Sequence, residues 1–182
     1  MNYFNSSKNK KNQRGLTIIE ALVSLVVLSM GLIPALAIIS SSIRLSSLIK
    51  NNLIAANLAQ EGVEVIRSLR DANWFEDKQF DNNLVGAIGE TKTWQVESST
   101  NWGDNVPVAV LIPDTSPPLK YDPVKGLYNY TDGVDSDFKR EVTVARVVNP
   151  CSCELIVTSK VTWVQQGATK TVLAESHLFN WR

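Results

Sequence analysis

The sequence predicts an α+β protein: a long N-terminal α-helix, half transmembrane and half amphipathic, packed on an antiparallel β-sheet head. Three observations predict it. Residues 16–39 read LTIIEALVSLVVLSMGLIPALAII, an apolar run with Glu20 as its single charge. Residues 40–72 continue with apolar positions three and four apart, the spacing of one helix face. From Trp74 onward the pattern turns to β-branched and alternating runs broken by Asn, Asp, Pro and Gly.

Each element follows in order. Residues 1–15 (MNYFNSSKNKKNQRG) are polar and lack hydrophobic periodicity. As a helix, residues 16–39 would extend about 36 Å, enough for a bilayer core of about 30 Å. That run exceeds the apolar region of an ordinary secretory signal and continues into further helix, which argues against cleavage after it. In the second half Leu45, Leu48, Ile49, Leu53, Ala56, Ala59, Val63, Ile66 and Leu69 make the apolar face. Glu64 and Arg67 are spaced to pair along the helix. Pro34 lacks a backbone donor and is expected to kink or locally unwind the helix. The expected organisation is a leader over 1–15, a helix over 16–72 with its membrane part at 16–39, and a head over 73–182.

In the head, strands are expected at 93–97 and 106–112. A hairpin is expected to join 119–122 to 127–130 through Pro123 to Gly126. Three long strands are expected at 138–148, 155–165 and 170–181, joined by short turns that favour an antiparallel meander. Trp163 and Trp181 are expected in the core, and the region between Phe75 and Asp137 is expected to be loop-rich.

Charge narrows the function. The chain is neutral overall, with 18 basic and 18 acidic residues. Lys8, Lys10, Lys11 and Arg14 stand before the apolar run without an acid, leaving the remainder mildly acidic. An acidic body speaks against nucleic-acid binding, which needs a basic face. Positive charge flanking an apolar segment reads as topology: N-terminus inside, head exported.

The junction of Gly15, Leu16 and Glu20 is the most informative feature. A carboxylate in hydrocarbon costs about 2.5–3.5 kcal/mol on insertion scales, so it normally has a partner. Cleavage after Gly15 would create an α-amino group on Leu16, a cation at a similar depth. In a bundle of staggered parallel helices, that amine would neutralise a neighbour's Glu20. Glycine before the cut admits a protease to an extended backbone without a side-chain clash.

KNQRG followed by LTIIEALVSLVVLSMGLIPA closely resembles the leader and first helix of type IV pilins and type II secretion pseudopilins. The resemblance spans about 25 residues. It implies cleavage between Gly15 and Leu16 by prepilin peptidase, N-methylation of Leu16, and an assembly role for Glu20. Leu16 departs from the phenylalanine commonest at that position. Pro34 resembles the helix-disrupting proline of pilin shafts, a few residues earlier than usual. Implied partners are prepilin peptidase, other pilin subunits, a platform membrane protein, an assembly ATPase and membrane lipid. The implied location is the cytoplasmic membrane and then an extracellular or periplasmic filament. The irregular middle and the style of the leader favour a minor subunit.

Other chemistry is sparse. Cys151 and Cys153 allow two readings, an intraloop disulfide strained by its spacing or two free or intermolecularly reactive thiols. Only His177 is available to complete a metal set with them. Asp132, Asp135 and Asp137 offer oxygens to calcium, but their spacing matches no EF-hand loop and a solvated acidic turn is far commoner. His177 and its neighbours Ser176 and Glu175 alternate faces of a strand, so they form no triad. No enzyme and no cofactor are expected. The competing class is a single-pass surface domain that binds a ligand or glycan without polymerising.

Overall fold

The computed structural model describes residues 15, 17–86, 90–96, 117–148 and 153–181. One helix, α1 (Ile18–Phe75), precedes seven strands: β1 (Thr91–Trp94), β2 (Lys120–Asp122), β3 (Leu127–Asn129), β4 (Val134–Asp135), β5 (Lys139–Val147), β6 (Glu154–Gln165) and β7 (Ala168–Phe179). The α+β class read from the sequence is the class observed. The chain divides into two compact units, residues 1–46 and 47–182.

Within the first unit the helix is apolar and bare. Ile18, Leu22, Leu25, Leu28, Leu32 and Leu36 are all more than half exposed. The helix runs through Pro34 without interruption. The expected strand at 106–112 lies outside the described residues, as does Leu16.

The second unit is built on the meander β5–β6–β7, with β1 added beside β5. All pairings are antiparallel. Alternation decides what β6 contributes: Leu155, Val157, Ser159, Val161 and Trp163 are buried, while Lys160 is exposed. On β5 the inward set is Arg140, Val142 and Val144. The helix meets this sheet with Ala55, Leu58, Ala59, Gly62, Val63 and Ile66, spaced three and four apart as one face requires. Burying a side chain such as Ile66 contributes about 1.5–3 kcal/mol. The small residues let backbone and sheet approach: a Cβ on Gly62 would lie 2.5 Å from Ser159 Oγ and 2.9 Å from Val142 Cγ2.

This corrects the expected helix face. Leu45, Ile49 and Leu53 remain 56–61% exposed, because the buried stripe begins only at Ala55. The apolar periodicity was continuous; the sheet that covers it is not.

Helix α1 ends beyond the expected boundary, at Phe75. Asp77 has a φ of 53°. Its N–H donates to the Trp74 carbonyl at 3.2 Å, and the Lys78 N–H donates to the Asn73 carbonyl at 2.9 Å. This is the Schellman arrangement, with Asp77 at the left-handed position where glycine is usual. Asn73 Nδ2 then holds the following turn through the carbonyls of Phe80 (3.3 Å) and Asn82 (3.0 Å).

A second, three-stranded sheet has the order β3–β2–β4. Its β2–β3 hairpin turns through residues 123–126, as expected from Pro123 and Gly126. Asp122 Oδ1 accepts the N–H of Val124 at 2.8 Å and of Lys125 at 3.3 Å, an Asx-type turn. The Val124 bond above all holds the Asp122 carboxyl below its ordinary value, against the opposing cost of burial. Strand β4 was not anticipated. Gly133 enables it: at φ 114° its Cα faces the Tyr121 carbonyl, and a Cβ would lie 2.4 Å from that oxygen.

Trp163 is core, at 2% exposure, but Trp181 is 75% exposed. The ladder ends at Phe179, so Trp181 lies past the last covered pair. It meets Trp74 edge to face, ring centroids 4.8 Å apart at 72°.

Candidate functional site

The start of α1 carries the sequence-predicted site. Thr17 is its N-cap: the Thr17 hydroxyl accepts the Glu20 N–H at 3.3 Å, and the Thr17 carbonyl accepts the Ala21 N–H at 3.1 Å. Thr17 and Glu20 are three residues apart, the spacing of a capping box. That signature was present in the sequence and the reading of Glu20 passed over it. It places the carboxylate in the first turn, where the helix dipole favours negative charge. Ser24 Oγ donates to the Glu20 carbonyl at 2.7 Å. Glu20 itself is exposed, and none of the ion pairs among the described residues involves it.

Gly15 is exposed, and a Cβ there would meet nothing within 4 Å. Nothing in the described fold calls for glycine at this position. The helix that follows is long and apolar enough to cross a membrane, and its most apolar window is entirely unburied.

The remaining candidates scatter over the second unit. Asp132, Asp135 and Asp137 are each exposed. Asp132 faces Lys125 at 3.9 Å, and no set of three metal-ligating groups converges among the described residues. Cys153 is disulfide-bonded, and its carbonyl accepts the Asn180 N–H at 2.7 Å; Cys151 lies outside the described residues.

His177 stands on the outward face of β7. Its Nδ1 contacts Glu154 Oε1 on β6, and its Nε2 lies 3.4 Å from Glu175 Oε1. The hydrogen bond to Glu154 raises its pKa above the ordinary imidazole value, burial opposes this, and Glu175 adds to the rise. Glu154 was not anticipated as its neighbour, because only the β6–β7 register brings them together.

A buried cation was also missed. Arg140 is fully buried and donates to the Leu58 carbonyl (3.1 Å), to Glu61 Oε2 (2.9 Å) and to the Val96 carbonyl. Alternation places it on the same face of β5 as Val142 and Val144, but its acceptors come from α1 and from the segment after β1, which no local pattern names.

Residues 10–40 match the family model of the prokaryotic N-terminal methylation motif. No curated protein and no solved structure matches the chain. The motif, the capped apolar helix and the α+β head agree, and this N-terminal segment carries the prokaryotic N-terminal methylation motif, to which the leader and first helix of type IV pilins and pseudopilins are similar.

Proposed function

We propose that this protein is a structural subunit, most simply a minor one, of a type IV pilus, a pseudopilus or a related filament. The observation that carries the proposal is the methylation motif over residues 10–40, joined to an apolar helix with Glu20 in its first turn. Prepilin peptidase cuts between Gly15 and Leu16 and methylates the Leu16 amine. A glycine free of any packing demand supports a constraint imposed from outside the chain, by the protease that reads it. The N-terminus faces the cytoplasm and the head is exported before incorporation into the filament.

In the assembled fibre, helices from neighbouring subunits cover the bare apolar surface of residues 18–39. The Leu16 amine of one subunit pairs with Glu20 of the next, offsetting the cost of a carboxylate in an apolar core. Pro34 supplies a point of local adjustment in that packing. Other pilins, a platform membrane protein and an assembly ATPase are the expected partners. Cys153 bridges to Cys151 in the oxidising exterior.

Intact mass and N-terminal sequencing of protein recovered from its native membrane or sheared filaments test the proposal. A chain beginning at methylated Leu16 supports it. A chain retaining residues 1–15 overturns it in favour of a simple anchored surface domain.

A further inference from the structure

The end of α1 and the end of β7 enclose a cavity of about 460 Å³ lined by Arg70, Asp71, Trp74, Phe75, Asp77 and Trp181, within the usual size range of small-molecule sites. Phe75 is 92% and Trp181 75% exposed. Together with Trp74 they put three aromatic rings around one opening. Arg70 is nearly buried; its guanidinium carbon sits 4.5 Å from the Trp74 ring centroid, and its Nε and Nη2 both donate to Asp71 Oδ1, at 2.9 and 2.7 Å. Asp77 brings a second carboxylate to the lining from a backbone conformation that glycine adopts most cheaply.

We infer that this cavity binds a neutral pyranose ring of a glycan. The chemistry of the lining selects that class. A cationic ligand is disfavoured because Arg70 already holds the cation position over Trp74 and would repel a second one. An anionic ligand meets two carboxylates against one guanidinium that is already paired. A hydrocarbon would desolvate the Asp77 carboxylate without giving it a donor. A pyranose satisfies all three limits. Its apolar C–H face lies on the electron-rich face of an exposed tryptophan. Its hydroxyls donate to Asp71 and Asp77 and accept from the outer edge of Arg70. The near-perpendicular Trp74 and Trp181 rings give the sugar a floor and a wall. The inference rests on residues of the 47–182 unit and stands independently of filament assembly.

Full-length protein in lipid nanodiscs, free of sugar-based detergent, is titrated with cellotriose, maltotriose, chitotriose, sialyllactose and choline chloride. Tryptophan emission and saturation-transfer-difference NMR are the readouts. At least one neutral trisaccharide is expected to give a saturable emission shift, with transfer to its ring C–H protons. Trp181→Ala should weaken it about tenfold, in line with the loss of one stacking contact. Trp181→Phe should recover part of the loss, and Asp77→Asn should weaken binding while preserving stacking. Sialyllactose should bind more weakly than the neutral sugars. Unchanged far-UV circular dichroism and an unchanged Tm confirm that the exposed Trp181 site tolerates substitution. The inference is overturned if no neutral sugar gives a saturable response up to its solubility, or if Trp181→Ala binds as wild type. Stronger binding of choline, or loss of self-association in Trp181→Ala without any sugar response, overturns it too.

Discussion

Gly62 and Ser159 face each other where α1 comes closest to the sheet. The Ser159 hydroxyl is buried and makes no hydrogen bond among the described residues, and it is the nearest atom to a Cβ placed on Gly62. Gly62→Ala is expected to destabilise the protein by about 1–3 kcal/mol through overpacking. Ser159→Ala removes an unsatisfied hydroxyl and is expected to stabilise by about 1 kcal/mol. The two should be coupled, because removing Oγ relieves the tighter of the two clashes while Val142 Cγ2 keeps the other. A double-mutant cycle in urea measures this; strict additivity of the two changes would refute the contact.

At the scale of elements, Arg140 ties β5 to α1 and to the segment after β1. Arg140→Ala removes the cation paired with Glu61 and the side-chain donor to the Val96 carbonyl, and opens a cavity at a fully buried position. A loss of about 3–5 kcal/mol is expected, read as a lowered urea midpoint. His177 couples β7 to β6 differently, through charge on the outer face. Its folded-state pKa is raised, so its contribution is fully present below the unfolded value of about 6.5 and is lost as pH rises through the folded value. Wild-type protein should therefore lose thermal stability between mildly acidic and mildly alkaline pH, relative to His177→Gln. Parallel Tm-against-pH curves for the two proteins would show that the Glu154 and Glu175 contacts contribute nothing.

For the whole molecule, the decisive quantity is the apolar surface between Ile18 and Leu53 that the described residues leave uncovered. Such a surface demands lipid or other helices. Glu20→Leu improves the anchor as a lipid-dissolved helix by about 2.5–3.5 kcal/mol on insertion scales, yet removes the proposed partner of a neighbour's amine. The expected outcome is normal or increased membrane insertion with reduced recovery in sheared filaments, measured by fractionation and immunoblotting. Undiminished incorporation of Glu20→Leu would remove charge pairing from the assembly proposal.

The long helix, the meander and the N-terminal motif were legible in the sequence because each rests on local information. A continuous apolar run, a two-residue alternation and turn residues at fixed places need no knowledge of what packs on them. Thr17 and Glu20 belonged to the same legible class, since a capping box is a four-residue pattern. Tertiary structure alone decided which helical positions are buried, because periodicity names a face but not where the sheet begins; hence Leu45, Ile49 and Leu53 stay bare while Ala55 is covered. It also decided that Arg140 finds its acceptors on α1 and after β1 and that His177 meets Glu154, both consequences of contacts between residues far apart in the chain. Trp181 belongs with them: its hydrophobicity suggested a core position, but the ladder ends before it, and the ring is left beside Trp74 at the mouth of a pocket.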